Sequence, residues 1–424
     1  MQIAIILFYA ILCSWALIAL PFFKKAKINK PLLISIFYVK ILVGIAYAVL
    51  MYKQQVNSGL PTDTFKYFNY SLTETNTLLT NPKQFVNTLF INQYGSNGYT
   101  TIWASTGSFW ADFKNWFFVK ILAVVNVATF NNYIANLIII NFLCFFGWVG
   151  LYKLLTQLLH IKSWLALLIV FAIPSTLFWN SGLHKDAFIY NSIGCLLWYI
   201  YKPSTTNIYK KYGVILFHIF IIFCFRYYTL LFVLVGLAGL LAYKKLQLKM
   251  LTILSIYFSL ILILIIAAPY LPQSLSITQI FAQKQAEFLK VPASSDFAFT
   301  PIPTQAIPFI TKIPKALGNV FATPNLYQLK GFSSCIAAVE IYSILLLMLY
   351  SIIVFFKNKM HNFLNPTQKE FILFCVLFVF TAAFTLGFIN VNIGSIARYR
   401  SILLPFVTTA VVLVAFRKSG VSKH

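Results

Sequence analysis

Long runs of apolar residues, separated by short polar turns, constrain the fold of this chain more than any other feature. A helix of about 20 such residues crosses the hydrocarbon core of a membrane, and runs of that order recur along the chain. Of the 424 residues, 60% are hydrophobic and 10% are charged, which is far more apolar than a soluble domain. We therefore predict an all-α fold, a polytopic integral membrane helix bundle that forms a single transmembrane domain over residues 1–424.

The charge balance is strongly basic, with 33 Lys and Arg, 8 Asp and Glu and a net charge of +25. The basic residues stand in small groups between the apolar runs, which is typical of membrane topology and not of a nucleic-acid patch, so we expect no nucleic-acid partner. The six cysteines lie within or beside apolar runs and lack paired spacing, which predicts neither disulfides nor a metal site.

The basic groups orient the chain if they are placed on the cytoplasmic side. They are 24–30, 153–162, 202–211, 244–249, 357–369 and 417–424. This predicts about eleven spans, with the N-terminus outside and the C-terminus in the cytoplasm. The predicted spans are 3–23, 32–51, 133–152, 164–179, 187–201, 212–225, 228–243, 250–270, 335–356, 370–388 and 401–416. The run 3–23 lacks a basic n-region and is interpreted as an uncleaved span, whereas 117–130, which contains Lys120, is interpreted as interfacial or re-entrant.

This topology places two long segments outside. Residues 52–116 form an external loop with interfacial helices, and residues 271–334 form an external proline-rich loop that is either a lid over a site or a loosely packed connection. The stretch "ITQIFAQKQAEFL" in the second segment has the spacing of a short amphipathic helix.

Asp63 opens a helical pattern close to the second predicted span. It caps that helix, or it is a carboxylate held at the membrane surface that acts as a base or orients an acceptor hydroxyl, and both roles are compatible.

The stretch "FWNSGLHKD" brings His184, Lys185 and Asp186 together between two apolar runs, in a turn predicted to be external. Asp186 stands at the start of the next helix, where it complements the helix dipole or caps the first turn. His184 exchanges protons near neutral pH, and Lys185 is suited to hold a phosphate as a point charge.

Three arginines also fall on the predicted external face. Arg226 separates two short apolar runs at a predicted tight turn, where a guanidinium snorkels to the headgroup layer or grips phosphate oxygens. Arg398 and Arg400 precede the last span and diverge by about 200° if a helix has begun there. With Lys185 these arginines predict an electropositive pocket for a phosphate or pyrophosphate lipid.

Several elements of the sequence together resemble a known family. They are Asp63 with Tyr67 four residues later, "FWNSGLHKD", "FRYYTLL", a proline-rich outer loop followed by Glu340 entering a span, and "ARYRSILLP". In this layout the chain resembles the bacterial oligosaccharide repeat-unit polymerases of O-antigen and exopolysaccharide synthesis, and the wider GT-C type glycosyltransferases that use lipid-linked sugars. The resemblance implies a GT-C-like fold in the bacterial cytoplasmic membrane and a polyprenyl-linked oligosaccharide as partner.

The expected function is transfer of a glycan from a polyprenyl phosphate or pyrophosphate to an acceptor on the outer face of the membrane. Lys185, Arg226 and Arg398 or Arg400 would bind the leaving phosphate, Asp63 or His184 would be the base, and Asp186 would position its neighbours. No cofactor is expected, because no nucleotide or metal motif occurs and paired acids near Asp63 are lacking, although a divalent metal stays open.

Two alternatives stay open. One is a transporter or flippase of lipid-linked oligosaccharide, which should carry charge through the middle of several spans; the predicted clustering of charge on one face favours an enzyme. The other is a non-catalytic envelope assembly subunit, which would tolerate neutral replacements of Asp63, His184 and Asp186.

Overall fold

The computed structural model describes residues 1–59, 61–89, 108–203, 208–289, 300–329, 331–357 and 364–416. These residues form helices and connecting turns, with no β-strand among them. The helices are α1 (Gln2–Ala19), α2 (Pro21–Lys24), α3 (Lys30–Ser58), α4 (Asp63–Thr80), α5 (Pro82–Asn87), α6 (Phe109–Thr129), α7 (Tyr133–Lys153), α8 (Ser163–Phe171), α9 (Pro174–Trp179), α10 (Lys185–Tyr201), α11 (Ile208–Lys245), α12 (Met250–Ala267), α13 (Ile277–Leu289), α14 (Ala306–Phe321), α15 (Phe332–Lys357), α16 (Pro366–Ile389), α17 (Ile393–Arg400) and α18 (Leu404–Ala415).

Seven of the described helices are long and apolar enough to cross a membrane, and the count is eight if α17 and α18, bent by 55° at the break between them, form one span. The chain is therefore a helical, multi-pass membrane protein, as the sequence predicts. The seven helical segments are Gln2–Ala19, Lys30–Ser58, Tyr133–Leu158, Ile208–Lys245, Met250–Tyr270, Ser334–Val354 and Pro366–Ile389.

With α17 and α18 taken as one span, the described candidate spans are eight and not eleven, because three stretches differ from the prediction. The apolar run 164–179 is divided between α8 and α9, since Pro174 cannot continue a helix that began earlier. Helix α10 has 17 residues and is short for a span. The two short spans predicted on either side of Arg226 are the two helical halves of α11, which meet in a kink at Arg226, where the backbone angles are non-helical (φ −154°, ψ 86°).

The chain divides into two compact units. The first comprises residues 1–172 and 176–230, and the second comprises residues 173–175 and 231–424. Helices α1 to α8, α10 and the beginning of α11 lie in the first unit, and α12 to α18 lie in the second.

Helices α7 and α10 pack closely in the first unit because glycines stand where they meet. A Cβ on Gly147 would lie 2.1 Å from the backbone oxygen of Asn191, and a Cβ on Gly194 would lie 2.2 Å from that of Gly147. Small residues allow such close helix approach in membrane proteins. The Asn191 side chain also accepts a hydrogen bond of 2.6 Å from the backbone N–H of Gly147. This packing fixes α10, whose first turn carries His184, Lys185 and Asp186.

Polar contacts join α4 to α6. The ammonium group of Lys120 forms a buried ion pair with Glu74 and donates to the hydroxyl of Thr88 at 2.6 Å. Asn126 donates to the side chains of Ser71 and Thr75 at 2.8 and 3.1 Å. Burial lowers the pKa of Lys120, and the hydrogen bond and charge of Glu74 oppose that shift. The predicted interfacial segment 117–130 thus belongs to α6, a 21-residue helix that is not among the seven candidate spans.

In the second unit an aromatic core joins α13, α14 and α16. The rings of Phe309 and Phe388 stack with centroids 4.3 Å apart, and Phe281 and Phe384 pack around them. The stretch predicted as a short amphipathic helix is α13, and it lies on this core through Phe281. Residues 271–334, predicted to be a proline-rich loop, therefore contain two ordered helices, α13 and α14.

Candidate functional site

The turn that precedes α10 is buried inside the first unit. Asn180, Ser181 and Leu183 have no exposed surface. The Lys40 ammonium group, on α3, donates to the backbone oxygen of Asn180 and, at 3.2 Å, to the hydroxyl of Ser181. Asn141, on α7, donates to the backbone oxygen of Ser181 at 2.8 Å. The sequence predicts that this turn lies on the external side; within the first unit it is buried, so little of its surface is open to a ligand.

Glycine is required in this turn because an aromatic ring packs on it. A Cβ on Gly182 would lie 2.4 Å from a ring carbon of Tyr47. The close contact fixes the path of the chain into His184, which is the N-cap residue of α10.

Asp63 is the first residue of α4, where its carboxylate complements the helix dipole. Thr62, in the N-cap position, makes no side-chain capping bond. The Asp63 side chain is 48% exposed, and its Oδ2 lies 3.3 Å from Nε2 of His184. The next residue, Thr64, is buried and donates to the backbone oxygen of Leu183 at 3.1 Å, which ties the start of α4 to the turn before α10.

His184 lies between two carboxylates. Its side chain is 1% exposed, with Nε2 facing Asp63 and Nδ1 lying 2.9 Å from Oδ2 of Asp186. The backbone N–H of Asp186 is also 3.3 Å from Nδ1. A protonated Nδ1 donates to the carboxylate, whereas an unprotonated Nδ1 accepts from the backbone N–H, so both tautomers find a partner.

Arg226 neutralises the buried end of this array. Its Nη2 pairs with Oδ1 of Asp186, whose side chain is completely buried, while the arginine side chain is 6% exposed. The non-helical backbone at Arg226 lies at this contact. Arg226 was predicted to bind a phosphate of the ligand; in the structure its guanidinium group contacts a carboxylate of the protein. Its guanidinium group is therefore the counter-charge of Asp186.

Lys185 lies beside a second group of polar side chains. Its ammonium group donates to Oδ1 of Asn115 at 2.6 Å and lies 4.8 Å from the centre of the Tyr67 ring. The Tyr67 hydroxyl donates to the same Asn115 oxygen at 3.1 Å. Tyr67 also packs edge to face on His184, with centroids 6.2 Å apart. The tyrosine noted four residues after Asp63 therefore touches both His184 and Lys185.

These contacts form one array, which we call the carboxylate relay: Asp63, His184, Asp186 and Arg226. It runs from a half-exposed carboxylate through a buried imidazole to a buried ion pair. Such an arrangement suits proton transfer at Asp63, because Asp186 keeps the His184 ring in place and Arg226 balances the charge of Asp186. Among the residues that the structure describes, no group of three or more His, Cys, Asp or Glu side chains is arranged to hold a metal ion.

The other two predicted arginines belong to the second unit. Arg400 is fully buried at the end of α17, and its Nη1 donates to the backbone oxygens of Val320 and Thr323. Arg398 is half-buried and its guanidinium carbon lies 5.9 Å from the centre of the Tyr399 ring. Glu340 accepts from the backbone N–H of Ser175 at 2.6 Å. Arg400 thus holds the end of α14 through Nη1, whereas its buried Nε and Nη2 have no hydrogen-bond partner among the described residues, and its phosphate contact stays a prediction.

A polar cleft of about 500 Å³ lies in the second unit. Its wall contains many amide side chains, one lysine and two aromatic rings; those residues are Gln285, Lys315, Asn319, Asn325, Gln328, Tyr342, Phe388 and Asn390. Asn390 is 3% exposed, and its buried side-chain oxygen has no hydrogen-bond partner among the described residues. We call this cavity the amide cleft.

The sequence prediction missed Lys40, Asn115 and Thr64. Lys40 also corrects the expectation that every unexplained charge lies on one face, because it is buried within α3. A single lysine inside "FYVKIL" was the available signal, since an isolated cation in an apolar run must find buried acceptors. Asn115 and Thr64 gave no comparable signal.

Comparisons with protein-family models, with curated proteins and with solved structures find no match to this chain.

Proposed function

We propose that this protein is a membrane glycosyltransferase of the polysaccharide polymerase type. It would transfer a glycan from a polyprenyl phosphate or pyrophosphate to an acceptor hydroxyl on the outer face of the bacterial cytoplasmic membrane. The observation that carries the proposal is the contact between the half-exposed Asp63 and the buried His184–Asp186–Arg226 group. Carboxylates and imidazoles that are held in this way act as general bases on hydroxyl groups.

In the proposed step the Asp63 carboxylate accepts the proton of the acceptor hydroxyl. The acceptor oxygen forms a bond to the anomeric carbon of the donor sugar, and the bond from that carbon to the phosphate oxygen breaks. The electron pair leaves with the polyprenyl phosphate or pyrophosphate. His184 positions Asp63 and shares its proton, and Asp186 and Arg226 hold His184 in place.

Lys185 is the donor-binding cation in this proposal. It lies next to the relay, where its buried ammonium group donates to Asn115 and lies over the ring of Tyr67. A positive charge at that place stabilises the negative charge that develops on the leaving group. Arg226 is assigned a positioning role instead, and Arg398 stays a candidate phosphate ligand of the second unit.

The amide cleft gives separate support for a glycan as the substrate class. Amide side chains donate and accept hydrogen bonds, as sugar hydroxyls do, and rings such as Tyr342 and Phe388 offer apolar faces to a sugar. A volume of about 500 Å³ suits a ligand of one or two sugar rings. We assign a glycan-binding role to this cleft, separate from the relay of the first unit.

The proposal is tested by the glycan profile of cells that lack the chromosomal copy and carry either the wild type or D63N, with the protein level in the membrane measured by blot. We expect cells with D63N to lose long chains and to accumulate a single lipid-linked repeat. A normal profile with D63N at wild-type level would contradict the proposal.

A carrier of lipid-linked oligosaccharide is the second candidate, and the buried Lys40 within α3 favours it because carriers place charge inside spans. Lys40 nevertheless binds the backbone of the turn before α10. The two candidates differ in a purified system, since only a transferase lengthens a glycan in detergent solution.

A further inference from the structure

A second charged cavity lies in the first unit, apart from the carboxylate relay. It measures about 280 Å³ and is lined by Pro21, Phe22, Lys25, Lys153, Trp198, Tyr199, Lys202, Pro203, Lys210 and Lys211. We call it the lysine cleft. Five of its ten lining residues are lysines, which come from three separate basic groups of the sequence.

The fold fixes two of these lysines in place. The Lys153 side chain is buried, with its ammonium group 4.0 Å from the centre of the Phe22 ring and 4.4 Å from that of Trp198. It donates to the backbone oxygen of Phe22 at 3.3 Å. Lys211 donates to the backbone oxygen of Lys202 at 2.8 Å, so it holds the end of α10 beside the start of α11. The cleft thus has a floor of fixed lysine and aromatic side chains, and the exposed Lys25 and Lys210 stand at its rim.

No carboxylate of the first unit compensates this charge. The acidic residues in the sequence of that unit are Asp63, Glu74, Asp112 and Asp186. None of them lines the cleft, and Glu74 and Asp186 pair with Lys120 and Arg226. The sequence from 187 to 286 contains no acidic residue at all. Several cations around one cavity repel one another and destabilise the fold, and an anion that binds between them would remove this repulsion.

The start of α11 adds to the positive potential. Lys210 and Lys211 stand in its first turn, where the helix dipole is positive and lysines are unfavourable. An anion in the cleft would relieve both repulsions at once.

We propose that the lysine cleft binds a phosphate group, carried either by the headgroup of an anionic membrane lipid or by a soluble phosphate compound. The cavity volume, at the lower end of the roughly 300–1,000 Å³ typical of ligand pockets, fits a headgroup or a diphosphate. The aromatic rings of Trp198 and Tyr199 are residues that favour the level of lipid headgroups. This inference does not depend on the proposed transferase activity.

The test uses purified full-length protein in non-ionic detergent, with K25Q/K210Q as the variant. Lys25 and Lys210 are both exposed, so their replacement spares the packing. The matched control is K245Q/K249Q, which removes two exposed lysines elsewhere. Native mass spectrometry measures retained phosphatidylglycerol against phosphatidylcholine, and thermal unfolding measures stabilisation by inorganic pyrophosphate.

Wild type and control are expected to retain phosphatidylglycerol preferentially or to be stabilised by pyrophosphate, and K25Q/K210Q is expected to bind about tenfold more weakly. Selective loss of the lipid identifies a headgroup, and selective loss of the pyrophosphate effect identifies a soluble compound. The charge-preserving K25R/K210R should restore binding. Equal behaviour of K25Q/K210Q and the control in both arms, or no binding by the wild type in either, would overturn the proposal.

Discussion

Oδ2 of Asp63 lies 3.3 Å from Nε2 of His184, and this contact joins a half-exposed carboxylate on α4 to a buried imidazole at the start of α10. The two residues are 121 positions apart in the sequence. Asp63 is thus the exposed end of the carboxylate relay, and the other three residues of the relay are buried.

The buried ion pair of Asp186 and Arg226 should govern stability as well as activity. Replacement of Asp186 by Asn leaves a buried guanidinium without a counter-charge, and we expect a loss of about 3–5 kcal/mol in the free energy of unfolding. The double variant D186L/R226M removes both charges and should recover most of that stability, yet it should stay inactive because His184 loses its partner. The free energies of unfolding of the wild type, D186N and the double variant, measured in detergent, test this expectation. A double variant as unstable as D186N would show that the two charges are not coupled.

Lys185 should act on donor affinity. Replacement by Gln removes a charge beside the relay, and we expect KM for the lipid-linked donor to rise about tenfold or more with a smaller change in kcat. K185R should recover part of the affinity. The control is K66Q, an exposed lysine on α4. The same rise in KM for K66Q and K185Q would indicate a general effect of surface charge.

The Lys120 ion pair offers a pH-dependent test of the packing of α4 on α6. Burial lowers the pKa of Lys120, and Glu74 opposes that shift, so E74Q should lower this pKa further and destabilise the fold near neutral pH. Between the folded pKa and the unfolded value of about 10.4, the unfolded chain binds more protons, so stability rises with pH. The loss in E74Q relative to the wild type should therefore shrink as pH rises toward that value. A loss that is constant with pH would contradict a charged Lys120 in the fold.

The amide cleft should bind a glycan. Asn390 is buried in its wall, and the side-chain oxygen has no hydrogen-bond partner among the described residues. We expect N390A to weaken the binding of a free oligosaccharide about two- to tenfold. Thermal unfolding of the variant in detergent measures what the lost side chain costs the fold, and the exposed Gln283 on α13 provides the control Q283A. Unchanged oligosaccharide binding by N390A would contradict a glycan site in this cleft.

Hydropathy was sufficient to predict the helical, multi-pass class, because a span is a local property of about 20 residues. It did not predict the helix break before Pro174 or the kink within α11 at Arg226, because each depends on a single residue. The buried partner of Arg226, Asp186, is not revealed by any local pattern.

The residues of the site were predictable as isolated anomalies, but their pairing was not. His184, Lys185 and Asp186 stood out because charge is rare in this chain. Which carboxylate meets which base depends on how α4, α10 and α11 pack, and that depends on contacts such as Gly147 with Asn191. Arg226 was assigned to a ligand for this reason, whereas its guanidinium group contacts Asp186.

If Asp63 is the base of a glycosyl transfer, its replacement must slow the reaction itself. The initial rate at which purified protein lengthens a polyprenyl diphosphate-linked glycan is therefore compared among wild type, D63N and D112N. We expect a rate at least about 100-fold lower for D63N, with an unchanged unfolding temperature, and a near-normal rate for D112N, which replaces a half-buried aspartate of the same unit. A wild-type rate for D63N would exclude Asp63 as the base.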